Sequence, residues 1–193
     1  GHCHQPMQLF VQLDSQDLPV DARTGFGDGV LQVFYCTNGE EDCEVLGHAH
    51  LPFSDASLVR MIPRQQADGF DALPVGIPDA FVEQALTGWQ CMVDFPDRQE
   101  TVAINEYVPD GMVALLQAHR PAPHAGDKFL GWPHWVTDVD YPPCSCCNKP
   151  MKFIFQIDST DTLPFWFGNS GCAYVFQCEN NPQVLTMSWD SRP

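Results

Sequence analysis

Basic residues are scarce in this chain: 193 residues carry nine Lys and Arg against 25 Asp and Glu, a formal charge of −16. Phosphate recognition depends on Lys and Arg, so this balance argues against nucleic acid as a direct ligand. No apolar run approaches the roughly 20 residues that span a bilayer, and no charged-then-apolar leader opens the chain, so the expectation is a soluble protein with no membrane partner. Also missing are a Gly-rich phosphate loop with its Lys, a Gly-x-Ser-x-Gly nucleophile elbow, a His-Glu-x-x-His zinc helix and any low-complexity tract.

What the chain does contain is a pattern written twice. Met151-Lys-Phe-Ile-Phe-Gln-Ile-Asp-Ser-Thr-Asp lies on Met7-Gln-Leu-Phe-Val-Gln-Leu-Asp-Ser-Gln-Asp, apolar residue on apolar residue. Further on, Gly171 to Cys178 lies on Gly29 to Cys36, and Gln183-Val-Leu-Thr-Met-Ser-Trp189 falls more weakly opposite Glu44-Val-Leu-Gly-His-Ala-His50. Two copies are too few for a solenoid. The pattern predicts one duplicated domain over residues 1–193, with repeat one at about 1–50, connecting strands and helices at about 51–127, and repeat two at about 128–193. The expected class is α+β, a mostly antiparallel sheet of two pseudo-symmetric repeats with a few short helices.

Taken in order, residues 7–13 and Val30 to Cys36 read as strands, separated by the turn chemistry of Gly25-Phe-Gly-Asp-Gly29. Glu44 to His50 reads as a third strand and Ser57 to Pro63 as another, with a loop from Gln65 to Pro78. Pro78-Asp79 opens a short helix with Phe81, Val82, Ala85 and Leu86 on one face, ended by Gly88. Trp89 to Asp94 and Thr101 to Asn105 read as strands, Asp110 caps a second helix ending at Arg120-Pro121, and Pro121 to Asp127 links to the second copy.

Nine cysteines, three of them crowded into positions 144–147, fit a reducing compartment better than a disulfide framework, which predicts a cytoplasmic protein. Cys144-x-x-Cys147 has the spacing of a zinc knuckle. If neighbouring strands pair antiparallel, the second strand of each copy returns beside the start of the first. Cys178 then joins Cys144 and Cys147 as candidate ligands of a structural zinc, with His134, Cys146 or a residue of the first copy as the fourth. The same return brings Cys36 to Cys3, a weaker pair that Cys43, His2 or His4 would complete. Taken singly, Cys36, Cys91, Cys172 and Cys178 also read as ordinary buried thiols.

Asp14 and Asp158 each follow a Gln-hydrophobic pair and precede Ser. They read either as paired carboxylates for acid-base work or, more simply, as turn residues bonding back to their own main chain. His48 and His50 would share one face of the predicted strand, where they could bind metal or simply be exposed. Trp132, Trp135, Phe165, Trp166 and Phe167 read as core, with Phe-Trp-Phe also able to form an exposed apolar patch.

Lys128-Phe-Leu-Gly-Trp-Pro-His-Trp, Pro143-Cys-x-x-Cys147, Met151, Phe-Gln-Ile-Asp-Ser159 and Asn-Ser-Gly-Cys-Ala-Tyr-Val-Phe-Gln-Cys178 resemble the YwqG-like family of bacterial uncharacterised proteins. Trp132 stands where those proteins often carry a second Gly, and Leu86-Thr-Gly-Trp89 and Asp94-Phe-Pro96 extend the likeness. The resemblance implies a duplicated α+β fold of mostly antiparallel sheet with no established enzyme activity. The lead-in, the Cys pair and the Tyr-Val-Phe-x-Cys ending are also similar to the programmed-cell-death-two family, which implies binding of a basic protein. Together these features point to a non-enzymatic acidic module acting as adaptor, chaperone or inhibitor of a basic protein. The alternative is a metal- or carboxylate-dependent enzyme with its site between the repeats.

Overall fold

The computed structural model describes residues 3–38, 43–67, 80–97, 99–100, 114, 118 and 122–193. Strands β1 (Gln8–Asp14), β2 (Val30–Tyr35) and β3 (Ser57–Ile62) form one antiparallel sheet in that order. A second antiparallel sheet has the order β4 (Lys128–Phe129), β5 (Lys152–Asp158), β6 (Cys172–Gln177) and β7 (Leu185–Asp190). Two one-turn helices, α1 (Cys43–Leu46) and α2 (Arg64–Ala67), flank β3. The class is therefore α+β and mostly sheet. Among the described residues, no helix is long and apolar enough to cross a membrane.

The two sheets share a register. Gln8 faces Tyr35 and Asp14 faces Val30, with an irregularity between Leu9 and Val11. Lys152 faces Gln177 and Asp158 faces Cys172, with the corresponding irregularity between Phe153 and Phe155. An extra residue at such a bulge turns the strand out of strict alternation, which is why Ile154 and Phe155 both enter the same core.

Strand β6 shows how the layers are built. Ala173 and Val175 join a core that also takes Leu31 and Val33 of the first sheet and the rings of Phe10, Tyr35 and Phe167. Cys172, Tyr174 and Phe176 alternate with them and enter a second core with Trp135, Met151 and Phe153. Side chains of a strand point alternately to its two faces, so β6 is covered on both, and every one of its residues is buried. Polar bonds tie the sheets together across the first core: Trp189 Nε1 donates to the Tyr35 hydroxyl at 3.0 Å, and the Phe53 amide donates to Thr186 Oγ1 at 2.6 Å.

Several sequence-based expectations are corrected. Glu44 to His50 is not a strand, because its backbone bonds close on themselves: the Gly47 and Ala49 amides donate to the Cys43 and Glu44 carbonyls, and His48 turns left-handed at φ 49°. The strand that occupies the place of β7 in the first sheet is Ser57–Ile62, so the weak match of Gln183–Trp189 to Glu44–His50 was misplaced. Residues 80–97 carry no regular structure, so the described part of the expected helix from Pro78 and the expected strand from Trp89 to Asp94 are both absent. Phe81 is held instead from outside: its amide donates to Gln8 Oε1 and its ring packs on Phe10 and Phe165, while Val82 and Leu86 are exposed. Helix α2 opens what was expected to be a loop. Thr101 to Asn105 lies outside the described residues, as does the helix expected from Asp110, apart from Ala114 and Ala118, both helical.

Gly171 sits at the entry to β6 where a Cβ would strike the carbonyl oxygens of Asp190 and Phe167, whereas a Cβ on Gly88 would meet nothing. We expect Gly171→Ala to cost about 2 to 3 kcal/mol, as overpacking against unyielding backbone does. Gly88→Ala should change stability by no more than about 0.5 kcal/mol. Urea unfolding of the two variants checks the contrast.

Candidate metal centre

The bridge between Pro143 and Pro150 closes a loop whose tip is Cys144-Ser-Cys-Cys147. Within it the Asn148 amide donates to the Cys144 carbonyl and the Cys144 amide to the Lys149 carbonyl, both at 2.8 Å, with Asn148 left-handed at φ 57°. Tight turning of this kind aims successive thiols to one side. The register of β5 and β6 carries Cys178, one residue past β6, to the same place.

There the sulfurs of Cys144 and Cys146 lie 3.3 Å apart, those of Cys146 and Cys178 3.8 Å, and those of Cys147 and Cys178 3.6 Å. All four lie within 4.8 Å of one another. A tetrahedral zinc with Zn–S of about 2.3 Å has S···S edges of about 3.8 Å, whereas a disulfide needs about 2.05 Å. All nine cysteines are free thiols. Of the candidates for a fourth member, the geometry selects Cys146; His134 is not among the clustered ligands, and its backbone amide donates to Gln156 Oε1 at 2.7 Å.

The thiols do not ionise independently. Partial desolvation opposes the Cys144 thiolate, but the Cys146 amide, the Cys146 and Cys178 thiols and the Cys147 amide outweigh it and bring this thiol down to about 6. Cys146 moves the other way, up to about 12, first because it donates to Cys144 and then because it is desolvated. The Asn180 amide and the Lys149 backbone hold Cys147 down. Cys144 and Cys147 thus ionise more easily than an ordinary thiol, while Cys146 and Cys178 resist ionisation.

A second group stands at the corresponding corner of the first sheet. Cys3 and Cys36 sulfurs are 3.6 Å apart, and Cys43, from the start of α1, completes a trio within 4.8 Å. Cys3 precedes β1 as Cys147 precedes β5, and Cys36 follows β2 as Cys178 follows β6. His48 and His50, expected on a strand face, instead meet edge to face with His50 against Trp189.

The duplicated carboxylates are each occupied in their own turn. Asp14 accepts the Gln16 amide at 2.8 Å and pairs with Arg64 at 2.6 Å. Asp158 accepts the Thr160 amide and hydroxyl, and the Gly126 amide at 3.2 Å. Ser15 accepts the Gly29 amide, while Ser159 donates to the Gly171 carbonyl and accepts the Phe167 amide. Of the Phe-Trp-Phe run, Phe167 is fully buried and Phe165 packs into the first core, so only Trp166 faces solvent.

Sequence reasoning missed Asp94. Its carboxylate accepts Lys128 Nζ at 3.0 Å, the Trp132 amide at 2.8 Å and the His124 amide at 2.9 Å, and Gly131, at φ 80°, leaves no room for a Cβ beside it. The Lys128-to-Trp132 segment is thereby clamped, and Trp135 beyond it packs on Tyr174 and Phe176 next to Cys144 and Cys178. No local pattern marks an acid whose partners lie so far along the chain. Beside the clamp lies an open groove of about 460 Å³, lined by Leu130, Trp132, Tyr141, Met151, Phe153 and Glu179.

Fold and site together define an α+β domain of two antiparallel sheets with a thiol cluster at one corner of each. A family model described as a domain of unknown function, DUF1963, matches residues 2–181, and the chain belongs to that family. No curated protein matches it.

Burial raises the Asp94 pKa, but its three hydrogen-bond donors and the Lys128 charge outweigh that and hold it below the usual carboxylate value. The stability this supplies is complete above about pH 4 and is lost as pH falls through the depressed value. Both members of the pair are well buried, at 13% and 14% exposure. We expect Asp94→Asn to cost about 3 kcal/mol at neutral pH, since Lys128 is left charged without its partner. The gap from the parent should narrow as pH is lowered below 4, which denaturant unfolding at neutral and acid pH would measure.

Proposed function

We propose that this chain is a non-enzymatic binding module in which zinc, held by Cys144, Cys146, Cys147 and Cys178, staples the knuckle loop to the end of β6. The observation that carries the reading is the convergence of four free sulfurs, all within 4.8 Å of one another, from two separate stretches of chain. Zinc would supply structure rather than chemistry: four thiolates fill a tetrahedral ion and leave no position for substrate.

We further propose a basic protein as the partner. The formal charge of −16 favours one, and the groove beside the clamp joins aromatic and aliphatic walls to Glu179. Such a site would take an apolar side chain flanked by Lys or Arg, with the charge speeding encounter and the groove supplying burial. A duplicated unit, one sheet per copy and a shared core, is the architecture we propose for presenting it.

Protein purified without added metal should hold zinc in elemental analysis, and Cys144→Ser and Cys147→Ser should each lose one equivalent. Stripping the metal should destabilise the fold by about 4 kcal/mol relative to protein in free zinc at a thousand times its dissociation constant. A metal-free wild-type chain of unchanged stability would end the reading. For the partner, pull-down from native lysate should enrich basic proteins that are released as salt rises, because exposed charge pairs are screened. Retention indifferent to salt would count against an acidic docking surface.

A further inference from the structure

We propose that Cys3, Cys36 and Cys43 form a second zinc site, with three protein thiolates and a fourth position open to a ligand from outside. It extends the reading above from one corner of the fold to the other but stands on its own sulfurs.

The three thiols come from different elements: Cys3 from the loop before β1, Cys36 from just beyond β2, and Cys43 from the first residue of α1. Their sulfurs lie within 4.8 Å of one another, and the 3.6 Å between Cys3 and Cys36 is close to the edge of a zinc tetrahedron. Backbone bonds hold two of the three in place. The Cys36 amide donates to the Ala56 carbonyl at 2.8 Å, and the Cys43 carbonyl accepts the Gly47 amide at 3.1 Å, with Gly47 lacking the Cβ that would strike that same oxygen.

Exposure decides which side is open. Cys36 and Cys43 are buried, at 6% and 1%, whereas Cys3 is half-buried. Thiolates are borderline-soft ligands that suit Zn²⁺. Sites with three protein ligands keep an exchangeable fourth position, in contrast to the closed four-thiolate kind. Among the described residues, the trio gathers no fourth thiol, imidazole or carboxylate within ligating range. The half-exposed side at Cys3 is where we place the fourth donor, water or a group from another molecule, an imidazole or thiolate being the chemistry best suited to zinc. The two corners differ in kind: one metal is locked in, the other can be exchanged or shared.

The test uses the full chain, zinc-loaded in a reductant that does not bind metal. Wild type should hold two equivalents and release them to a chromophoric chelator in two phases of equal amplitude, one fast and one slow. Cys43→Ser should lose the fast phase alone and Cys144→Ser the slow phase alone. If Cys43→Ser fails to fold, Cys3→Ser, changed at a half-exposed position, carries the same expectation. With cobalt in place of zinc, added imidazole should shift the visible spectrum of Cys144→Ser, which keeps only the open site, and leave that of Cys43→Ser unchanged. One equivalent in wild type, lost in Cys144→Ser and kept in Cys43→Ser, overturns this site while leaving the staple standing; no zinc in any variant overturns both. A cobalt spectrum in Cys144→Ser that imidazole does not move overturns the open position.

Discussion

The antiparallel register of β1 with β2 and of β5 with β6 is the constraint on which the rest depends. With Lys152 opposite Gln177, the residue after β6 must emerge beside the loop that leads into β5; with Gln8 opposite Tyr35, the residue after β2 does the same beside the loop into β1. Side-chain period in a strand is two, so a slip of one residue would exchange the faces of every side chain. In β6 such a slip would throw Tyr174 and Phe176 into the core that now holds Ala173 and Val175, a volume that core could not take. Burial on both faces thus locks the register, and the register brings distant sulfurs together.

The second core makes one corner more elaborate than the other. From β4 at the edge of the four-stranded sheet the chain passes to Trp135 in the second core and is held by polar bonds: Asp94 takes the Lys128 ammonium and the Trp132 amide, Gln156 the His134 amide, and Tyr174 the Val136 amide. Gln156 and Tyr174 are fully buried, and a buried polar group left without its partner costs about 1 to 3 kcal/mol. The lead-in segment and the strands beneath it therefore stabilise each other. The result is a covered sheet beside the thiol knuckle and an aromatic-walled groove at its rim.

Much of the sheet framework was legible because it is written in local signals. Runs such as Leu9-Phe-Val and Ile154-Phe, ended by Asp-Ser, specify strand and turn within a few residues, and the antiparallel return follows from chain neighbourhood. The same reasoning reached Cys3 with Cys36 and Cys144 with Cys178. It failed where a decisive partner is remote. Val45-Leu46 has the look of the Val-Leu pair before β7, yet a Gly and a left-handed His after it close the backbone into a helical turn. Phe81 to Leu86 has helical spacing, yet Phe81 is drawn into a ring cluster with Phe10 and Phe165. Asp94 and Arg64 carry no local mark because their partners lie 34 and 50 residues away. Cys146 and Cys43 stood only among several candidate ligands, since choosing between them requires the path of a loop in three dimensions.

Charge gives the thiol clusters their meaning. Four sulfurs within 4.8 Å of one another, with three contacts of 3.3 to 3.8 Å, are too distant for a disulfide and too near to lose protons independently, which is why Cys144 and Cys146 are driven in opposite directions from one ordinary thiol value. In a chain already at −16, each further thiolate adds to an unfavourable negative field. Either protons stay on most of the sulfurs, and the cluster is a set of weak hydrogen bonds, or a cation takes their place and turns the repulsion into binding. Weak thiol hydrogen bonds give little reason for Pro143, Asn148 and Pro150 to bend the chain so tightly around them. A dication would supply one, because it would offset the charge of the thiolates it gathered and remove conformational freedom from the loop that carries them.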